Sequence, residues 1–185
     1  MRLIIGLGNP GPQYRSTRHN VGFRSIDLMG GKWGIPTKER RAKVVLGRGH
    51  YAGHEVVLAK PRTFMNNSGE GASYLLTRFA AGVEDLVVIY DDIELPLGRL
   101  RIRPGGGDGG HKGVRSIIAS LDTEAFPRVR LGIGPPPPGE DPVQFVLGRF
   151  SDGEAAAVAQ GLETVISAVE CLLEEGIDTA MNRFN

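Results

Sequence analysis

Short apolar runs of strand length alternate with helical stripes along most of the chain, and this alternation constrains the fold more than any other feature. Four aliphatic and β-branched runs, bounded by glycine, proline or charged residues, are typical of buried strands: residues 3–7, 44–46, 55–59 and 86–90. Apolar residues at helical spacing predict helices over 21–29, 72–80, 114–121 and 158–173. Elements that alternate in this way favour a three-layer α/β domain.

Residues 99–103 and 128–131 alternate strictly between arginine and aliphatic side chains. We expect each segment to form a half-exposed strand with its arginines on one face. Such strands favour a twisted, mixed central sheet over a wholly parallel one. The chain has 185 residues and ordinary globular composition, so we expect a single domain over residues 1–185.

The composition favours a soluble, cytoplasmic protein. No apolar run approaches the roughly 20 residues that a membrane helix needs, and the first residues are typical of a strand rather than a signal peptide. The single cysteine, Cys171, lies in an apolar helical stretch, and we interpret it as part of the core. The formal net charge is only +1, but residues 95–135 are mainly basic and the tail from residue 151 is acidic. That asymmetry suits a local contact with a polyanion, although a solvated face is the alternative.

The first predicted strand leads into a glycine motif, Gly-Leu-Gly-Asn-Pro-Gly at residues 6–11. This spacing matches dinucleotide-binding loops and raises a nicotinamide-dependent oxidoreductase as one hypothesis. Pro10 and Pro12 remove backbone donors that a pyrophosphate would need, and helical spacing resumes only at about Asn20. We therefore predict a rigid loop that presents Asn9 at the C-terminal end of a strand, with a simple tight turn as the alternative.

His19 lies just before the predicted helix over 21–29, for which Asn20 is a plausible N-cap. The positive end of a helix favours a neutral imidazole, which is able to accept a proton. Asp91 and Asp92 end a buried run, and one of them could orient His19 and stabilise its protonated form. A structural histidine and a solvated strand end are the alternatives.

Two further polar segments precede predicted helices. In residues 64–69, Asn67 or Ser68 is a candidate helix cap, which leaves Asn66 without a structural role. The glycine-rich segment 105–110 ends in His111 and Lys112, which is typical either of an anion or ligand contact or of a hinge. No serine or cysteine nucleophile motif is present, so water is the preferred nucleophile. The four histidines lack metal-ligand spacing, and we predict no catalytic metal and no cofactor.

Four motifs, taken together, closely resemble those of bacterial peptidyl-tRNA hydrolases. They are Gly-Leu-Gly-Asn-Pro-Gly-x-x-Tyr-x-x-Thr-Arg-His-Asn-x-Gly (6–22), Lys-Pro-x-Thr-Phe-Met-Asn-x-Ser-Gly (60–69), Asp-Asp-Ile-Glu-Leu-Pro-x-Gly (91–98) and Gly-Gly-x-Gly-Gly-His (106–111). The resemblance extends from residue 3 to about residue 150 and is thin in the C-terminal helix. It implies hydrolysis of the ester between a peptide and the 3′-terminal ribose of tRNA, which returns tRNA from stalled ribosomes to translation.

The resemblance also implies roles for individual residues. His19 is the general base that activates water, and Asp91 is its partner. Asn9 and Asn66 hold the peptide or the terminal nucleotide and help to fix the attacking water. The implied partner is peptidyl-tRNA, contacted at its 3′ end and acceptor stem by a monomeric protein with no membrane contact.

The remaining implied contacts surround this centre. Tyr14 and His111 line the cleft, and Arg103 and Arg130 grip the tRNA 5′-phosphate, a contact that positions RNA without reading its sequence. One position departs from the pattern, because Lys112 stands where the family commonly has asparagine. An ammonium group only donates hydrogen bonds, so we expect Lys112 to contact a phosphate instead.

A second hypothesis is an RNA-binding module without catalysis, since one plant plastid branch of the family serves in intron splicing and a fold does not fix a function. The presence of His19, Asp91, Asn9 and Asn66 favours retained chemistry.

Overall fold

The computed structural model describes residues 1–185 and contains one seven-stranded mixed sheet in a single domain. The strands are β1 (Arg2–Gly6), β2 (Glu39–Arg40), β3 (Val44–Tyr51), β4 (His54–Pro61), β5 (Leu86–Asp92), β6 (Leu100–Arg103) and β7 (Arg128–Gly132). Their order across the sheet is β2-β3-β4-β1-β5-β7-β6. Neighbouring strands are parallel from β4 through β1 and β5 to β7, and antiparallel at both edges. The predicted α/β class with a mixed sheet is confirmed.

Helices cover both faces of the sheet. They are α1 (Val21–Lys32), α2 (Ser68–Phe79), α3 (Lys112–Leu121), α4 (Pro142–Leu147), α5 (Ala155–Glu175) and α6 (Ile177–Phe184). Short 3-10 helices occupy Pro12–Tyr14, Arg18–Asn20, Met65–Asn67, Val83–Asp85 and Asp152–Glu154. The four predicted helices are present. The sequence did not predict β2, α4 or α6, because two to eight residues are too few to establish a hydrophobic period.

The core has two parts, one on each face of the sheet. In β1, Ile4 packs with α1 and α5, whereas Leu3 and Ile5 pack with α2 and α3. Because helices cover both faces of β1, residues 3–7 are apolar at every position rather than at alternate ones. Cys171 belongs to the α5 side of this core, as predicted.

The segment Asp152–Glu175 is long and apolar enough, by length and composition, to cross a membrane. The expectation that no segment approaches this length was therefore wrong. Its apolar side chains, including Val165 and Val169, are buried against the sheet, and the core helix of a soluble protein passes the same test.

The loop after β1 does not have the geometry of a dinucleotide-binding loop. Two 3-10 helices follow β1, and α1 begins only at Val21, ten residues after Gly11. The helix therefore does not begin within the motif, and its first turn packs against residues 6–8, where the backbone N–H of Phe23 is already bonded to the carbonyl of Leu7 at 3.2 Å. A pyrophosphate would find no free helix N terminus in this loop, and the structure contradicts the oxidoreductase hypothesis.

The two arginine strands differ from each other. β6 alternates between buried and exposed residues as predicted, but β7 is not half-exposed, because it lies between β5 and β6 and Arg128 is only 2% exposed. Arg101 lies opposite Arg130, and Arg103 lies opposite Arg128. These four arginines share one face of the sheet, and we call them the arginine face.

Candidate active site

A cleft of about 360 Å³ opens at the C-terminal ends of β1 and β5, the edge at which parallel sheets place their sites. Loops after β1, β4, β5 and β6 contribute polar side chains to it. The short helix α4 forms an apolar wall through Val143, Val146 and Leu147. The cleft therefore combines a polar floor with one apolar side.

His19 and Asp91 meet at the floor of this cleft. His19 Nδ1 lies 2.9 Å from Asp91 Oδ1 and 2.8 Å from Oδ2. His19 belongs to the 3-10 helix before α1, and Asp91 is the sixth residue of β5. The start of α1 packs closely against the end of β1, which requires glycine at residue 22, since a Cβ there would lie 2.5 Å from the backbone of Leu7.

His111 is a second partner of Asp91, which the sequence did not predict. Its Nε2 lies 3.1 Å from Asp91 Oδ1, and its Nδ1 accepts the backbone N–H of Val114 at 3.2 Å. Because Nδ1 uses its lone pair as the N-terminal cap of α3, the proton of a neutral His111 resides on Nε2 and points at Asp91. His19, Asp91 and His111 together form what we call the histidine cluster.

The electrostatics of Asp91 follow from these contacts. Burial by itself raises the pKa of this carboxyl, which is 2% exposed. The attraction and hydrogen bonds of His19 and His111 outweigh burial and hold the pKa of Asp91 well below its usual range. Asp91 therefore carries a fixed negative charge, and its carboxylate accepts a hydrogen bond from the N–H at His19 Nδ1. That bond leaves His19 Nε2 as a free acceptor.

Asn9 is held from two sides. The side chain of Asn20 accepts the backbone N–H of Asn9 and donates to its carbonyl, both at 2.9 Å. Asn9 Oδ1 accepts the backbone N–H of Met65 at 2.8 Å, so its Nδ2 is the group left to donate into the cleft. Asn20 occupies the N-cap position of α1, as predicted, but its side chain makes no capping bond. No pattern in the sequence could have revealed that the side chain of Asn20 holds the backbone of Asn9.

Asn66 is exposed and lines the cleft without a hydrogen-bond partner in the protein. Of the two cap candidates, Asn67 occupies the N-cap position of α2, but its side chain makes no capping bond. Ser68 Oγ donates to the carbonyl of Met65 at 2.7 Å. The bond from Ser68 to Met65 fixes the backbone around Asn66. The side-chain amide of Asn66 is therefore left available to a ligand.

The other predicted site residues are distributed around the cleft. Lys112 and Arg130 line it, whereas Tyr14 and Arg103 do not. Tyr14 packs edge-to-face against the exposed ring of Phe64, with centroids 6.2 Å apart. Arg103 is exposed on the arginine face, outside the cleft.

The arginine face has few partners for its charges. Arg130 Nη2 lies 2.5 Å from Asp92 Oδ2, an ion pair that lacks the angles of a hydrogen bond. Arg128 stacks on Phe126 and donates to the carbonyls of Gly107 and Glu124 at 2.7 and 3.0 Å. The Nε atoms of both arginines are buried without an acceptor.

Arg18, next to His19, anchors the catalytic segment to the rest of the domain. Its guanidinium makes two hydrogen bonds to Glu154, at 3.0 and 3.1 Å. It also lies 4.4 Å from the ring of Phe145 in α4 and 4.7 Å from that of Phe150. Paired bonds of this kind restrict orientation as well as position, so Arg18 ties the backbone at His19 to the helix that forms the apolar wall.

The histidine cluster also has the composition of a metal site, which the spacing of histidines along the sequence did not indicate. The ligand atoms of His19, Asp91 and His111 all lie within 4.8 Å of one another. In the structure these atoms are hydrogen-bonded to each other. An ion would have to displace those bonds and both ring protons, so the geometry fits a proton-transfer centre better than a metal centre.

The chain is similar to known proteins along its whole length. A family model described as peptidyl-tRNA hydrolase matches residues 3–185. Peptidyl-tRNA hydrolases from Synechococcus sp. (strain JA-3-3Ab) and Caldanaerobacter subterraneus are each 48% identical to the chain, covering all of it and 83% and 100% of their own lengths. The crystal structure of peptidyl-tRNA hydrolase from Acinetobacter baumannii is 34% identical, with a TM-score of 0.94 over 100% of this chain and 94% of that one.

Proposed function

Because the chain belongs to the peptidyl-tRNA hydrolase family, we propose that it hydrolyses peptidyl-tRNA with His19 as the general base. The observation that carries this proposal is the contact of His19 Nδ1 with both oxygens of the buried Asp91. With Nδ1–H committed to Asp91, Nε2 can take a proton from a water molecule in the cleft. Asp91 then stabilises the imidazolium that forms.

The reaction proceeds at the ester carbonyl. The oxygen of the activated water forms a bond to the carbonyl carbon while its proton passes to His19 Nε2. The bond between that carbon and the ribose oxygen then breaks, and the proton returns from Nε2 to the leaving oxygen. Water and ester thus give a free peptide acid and a free tRNA hydroxyl.

Asn9 and Asn66 position the reacting groups. Asn9 Nδ2 is the donor left over after Asn20 and Met65 hold the rest of this residue. A donor fixed in this way can bind the carbonyl oxygen as negative charge develops on it. Asn66 has both an acceptor and a donor free and can hold the attacking water or the terminal ribose.

The arginine face supports binding of the RNA. We assign Arg103 and Arg130 to the tRNA 5′-phosphate and Lys112 to a phosphate nearer the cleft, because these cations have at most one carboxylate partner among them. His111 acts by holding Asp91, and Tyr14 contributes to the rim through its contact with Phe64. We further propose that the protein acts as a monomer, in the cytoplasm, where translation supplies its substrate.

Turnover of an N-blocked aminoacyl-tRNA, compared with the unblocked form, tests the proposed function. We expect wild type to hydrolyse the blocked form preferentially and His19→Ala to lose about 10² to 10⁴ of kcat. Arg40→Ala is the matched control, since Arg40 is exposed in β2 at the opposite edge of the sheet from β6. Full activity of His19→Ala would show that another group is the base. Binding of tRNA without any turnover by wild type would favour an RNA-binding module.

A further inference from the structure

A second groove adjoins the catalytic cleft on the other side of Asn9, which lines both. It has a volume of about 780 Å³ and lies between the loop after β1 and the exposed face of α1. Apart from Asn9, the side chains of this groove have no role in the chemistry proposed above.

The charged residues of this groove are mainly basic. Arg15, Arg24 and Lys60 line it together with a single acidic residue, Asp27. Lys60 and Asp27 form an ion pair with each other. The two arginines are therefore left as the net charge of the groove.

Arg15 and Arg24 make no ion pair and no side-chain hydrogen bond anywhere in the structure, although most arginines of this protein make one or the other. Arg15 is exposed, so water solvates its charge and the missing partner costs little free energy. Arg24, in contrast, is half-buried. Burial lowers the pKa of Arg24, and no carboxylate offsets that effect. The guanidinium of Arg24 lies 5.8 Å from the ring of Phe150, but it has no anionic partner. A half-buried guanidinium without an anion costs free energy, and an anion bound in the groove would lower that cost.

An aromatic ring accompanies these cations. Phe23 lines the groove, is only partly buried, and lies 5.8 Å from Lys60 Nζ. Cations that follow a backbone, interleaved with an aromatic side chain on which a base can stack, are the usual composition of sites for single-stranded nucleic acid.

We propose that this groove, the Arg15–Arg24 groove, binds the phosphodiester backbone of the single-stranded 3′ end of the RNA. The inference rests on the proposed function, because it takes the ester to lie at His19. The nucleotides next to that ester must then leave the cleft, and Asn9 marks the point where the cleft adjoins the groove. The peptide has no phosphates, and it is matched instead by the apolar wall that α4 forms on the cleft.

The experiment uses two esters that differ in their phosphates. One carries an N-blocked aminoacyl group on adenosine, and the other carries the same group on a CCA trinucleotide. Each is assayed as a function of salt with wild type, Arg15→Ala, Arg24→Gln and the double variant, and with Arg40→Ala as the matched control. Arg15 is exposed, so its variant tests the groove even if Arg24→Gln is less stable. Anisotropy of a labelled, uncharged RNA that ends in CCA gives binding without turnover.

We expect kcat/KM on the trinucleotide ester to fall several-fold for each single variant, with kcat/KM on the adenosine ester unchanged. Each lost phosphate contact should reduce the slope of log affinity against log salt by about 0.7. Arg40→Ala should match wild type on both esters.

Three other outcomes would overturn the inference, and each would indicate a different role for the groove. Equal losses on both esters would mean that the arginines act on the catalytic cleft rather than on phosphates. A loss that depends on acidic side chains in the acyl group would assign the groove to the peptide. No loss on either ester would show that the groove takes no part in binding. Failure of the proposed function looks different, since wild type would then hydrolyse neither ester.

Discussion

The histidine cluster and the arginine face are neighbours in the sheet, but they differ in how far their charged groups are paired within the protein. In the histidine cluster, Asp91 accepts from both histidines and His111 Nδ1 accepts from the backbone, which leaves His19 Nε2 as the free acceptor. On the arginine face, four guanidiniums have one carboxylate contact, through Asp92, and two buried Nε atoms have no acceptor.

Under the proposed function, this difference separates charge that performs chemistry from charge that binds RNA. A base must have its proton and orientation fixed before substrate arrives, because reorganisation during the reaction raises the barrier. A phosphate-binding surface has its counter-charge supplied by the substrate. Like charges placed directly opposite on adjacent strands are destabilising, so the pairs Arg101–Arg130 and Arg103–Arg128 store repulsion that bound RNA would relieve.

After the loss for His19→Ala given above, the largest effect is expected at Asp91. Asn at this position keeps the size but presents an NH₂ group to one of two histidine N–H donors, so it disrupts the tautomer on which His19 depends. We expect Asp91→Asn to lower kcat by about 10²-fold with KM nearly constant, less than the loss for His19→Ala. Single-turnover hydrolysis of a blocked aminoacyl-tRNA measures this. A kcat within twofold of wild type would remove Asp91 from the mechanism and erase the contrast between the two regions.

The sequence predicted the layers of this fold because β1, β4 and β5 contain continuous apolar runs and α5 has apolar residues at helical spacing over several turns. It placed His19 and Asp91 in a common site only through the resemblance of whole motifs. It could not predict that His111 contacts Asp91, because 20 residues separate them and a histidine that caps a helix with Nδ1 has no local pattern. The same holds for Asn20, whose two bonds to Asn9 depend on how a loop closes.

Arg128 shows why the error over β7 arose. Alternation predicts that alternate side chains share a face, which is correct here, but it does not tell which face is covered. The ring of Phe126 and the glycine-rich segment cover Arg128, while Arg103, directly opposite on the edge strand, remains exposed.

Arg128→Met gives the second largest expected effect, and it acts on stability rather than turnover. The substitution keeps much of the apolar volume but removes the two hydrogen bonds that the guanidinium donates to the carbonyls of Gly107 and Glu124. A hydrogen bond made by a charged group contributes about 1.5–3 kcal/mol, and we expect the free energy of unfolding in urea to fall by that order. Arg103→Met at the paired, exposed position is the control and should change it by less than about 0.5 kcal/mol. Equal losses at both positions would mean that Arg128 has no special role in holding the loop.

Acid should destabilise the histidine cluster but not the arginine face. The pKa of Asp91 is lower in the folded state than in the unfolded state, so its ionisation stabilises the fold above the ordinary aspartate pKa of about 4. That contribution is lost as pH falls below about 4 toward the folded pKa. The unfolding midpoint of wild type, measured from pH 6 to pH 3, should therefore approach that of Asp91→Asn at the acid end. A constant difference across this range would indicate that Asp91 is not preferentially ionised in the fold.

The smallest effect is expected at Lys112, which lies between the two regions. Its ammonium is exposed in the first turn of α3, makes no ion pair and lines the cleft. A positive charge at a helix N terminus is unfavourable by a few tenths of a kcal/mol, which favours a role in binding over one in stability. We expect Lys112→Asn to raise KM for blocked aminoacyl-tRNA a few-fold, with kcat within twofold and a weaker salt dependence, because one phosphate contact is lost. A large fall in kcat with KM unchanged would instead place Lys112 with the histidine cluster, as a group that acts on the reacting atoms.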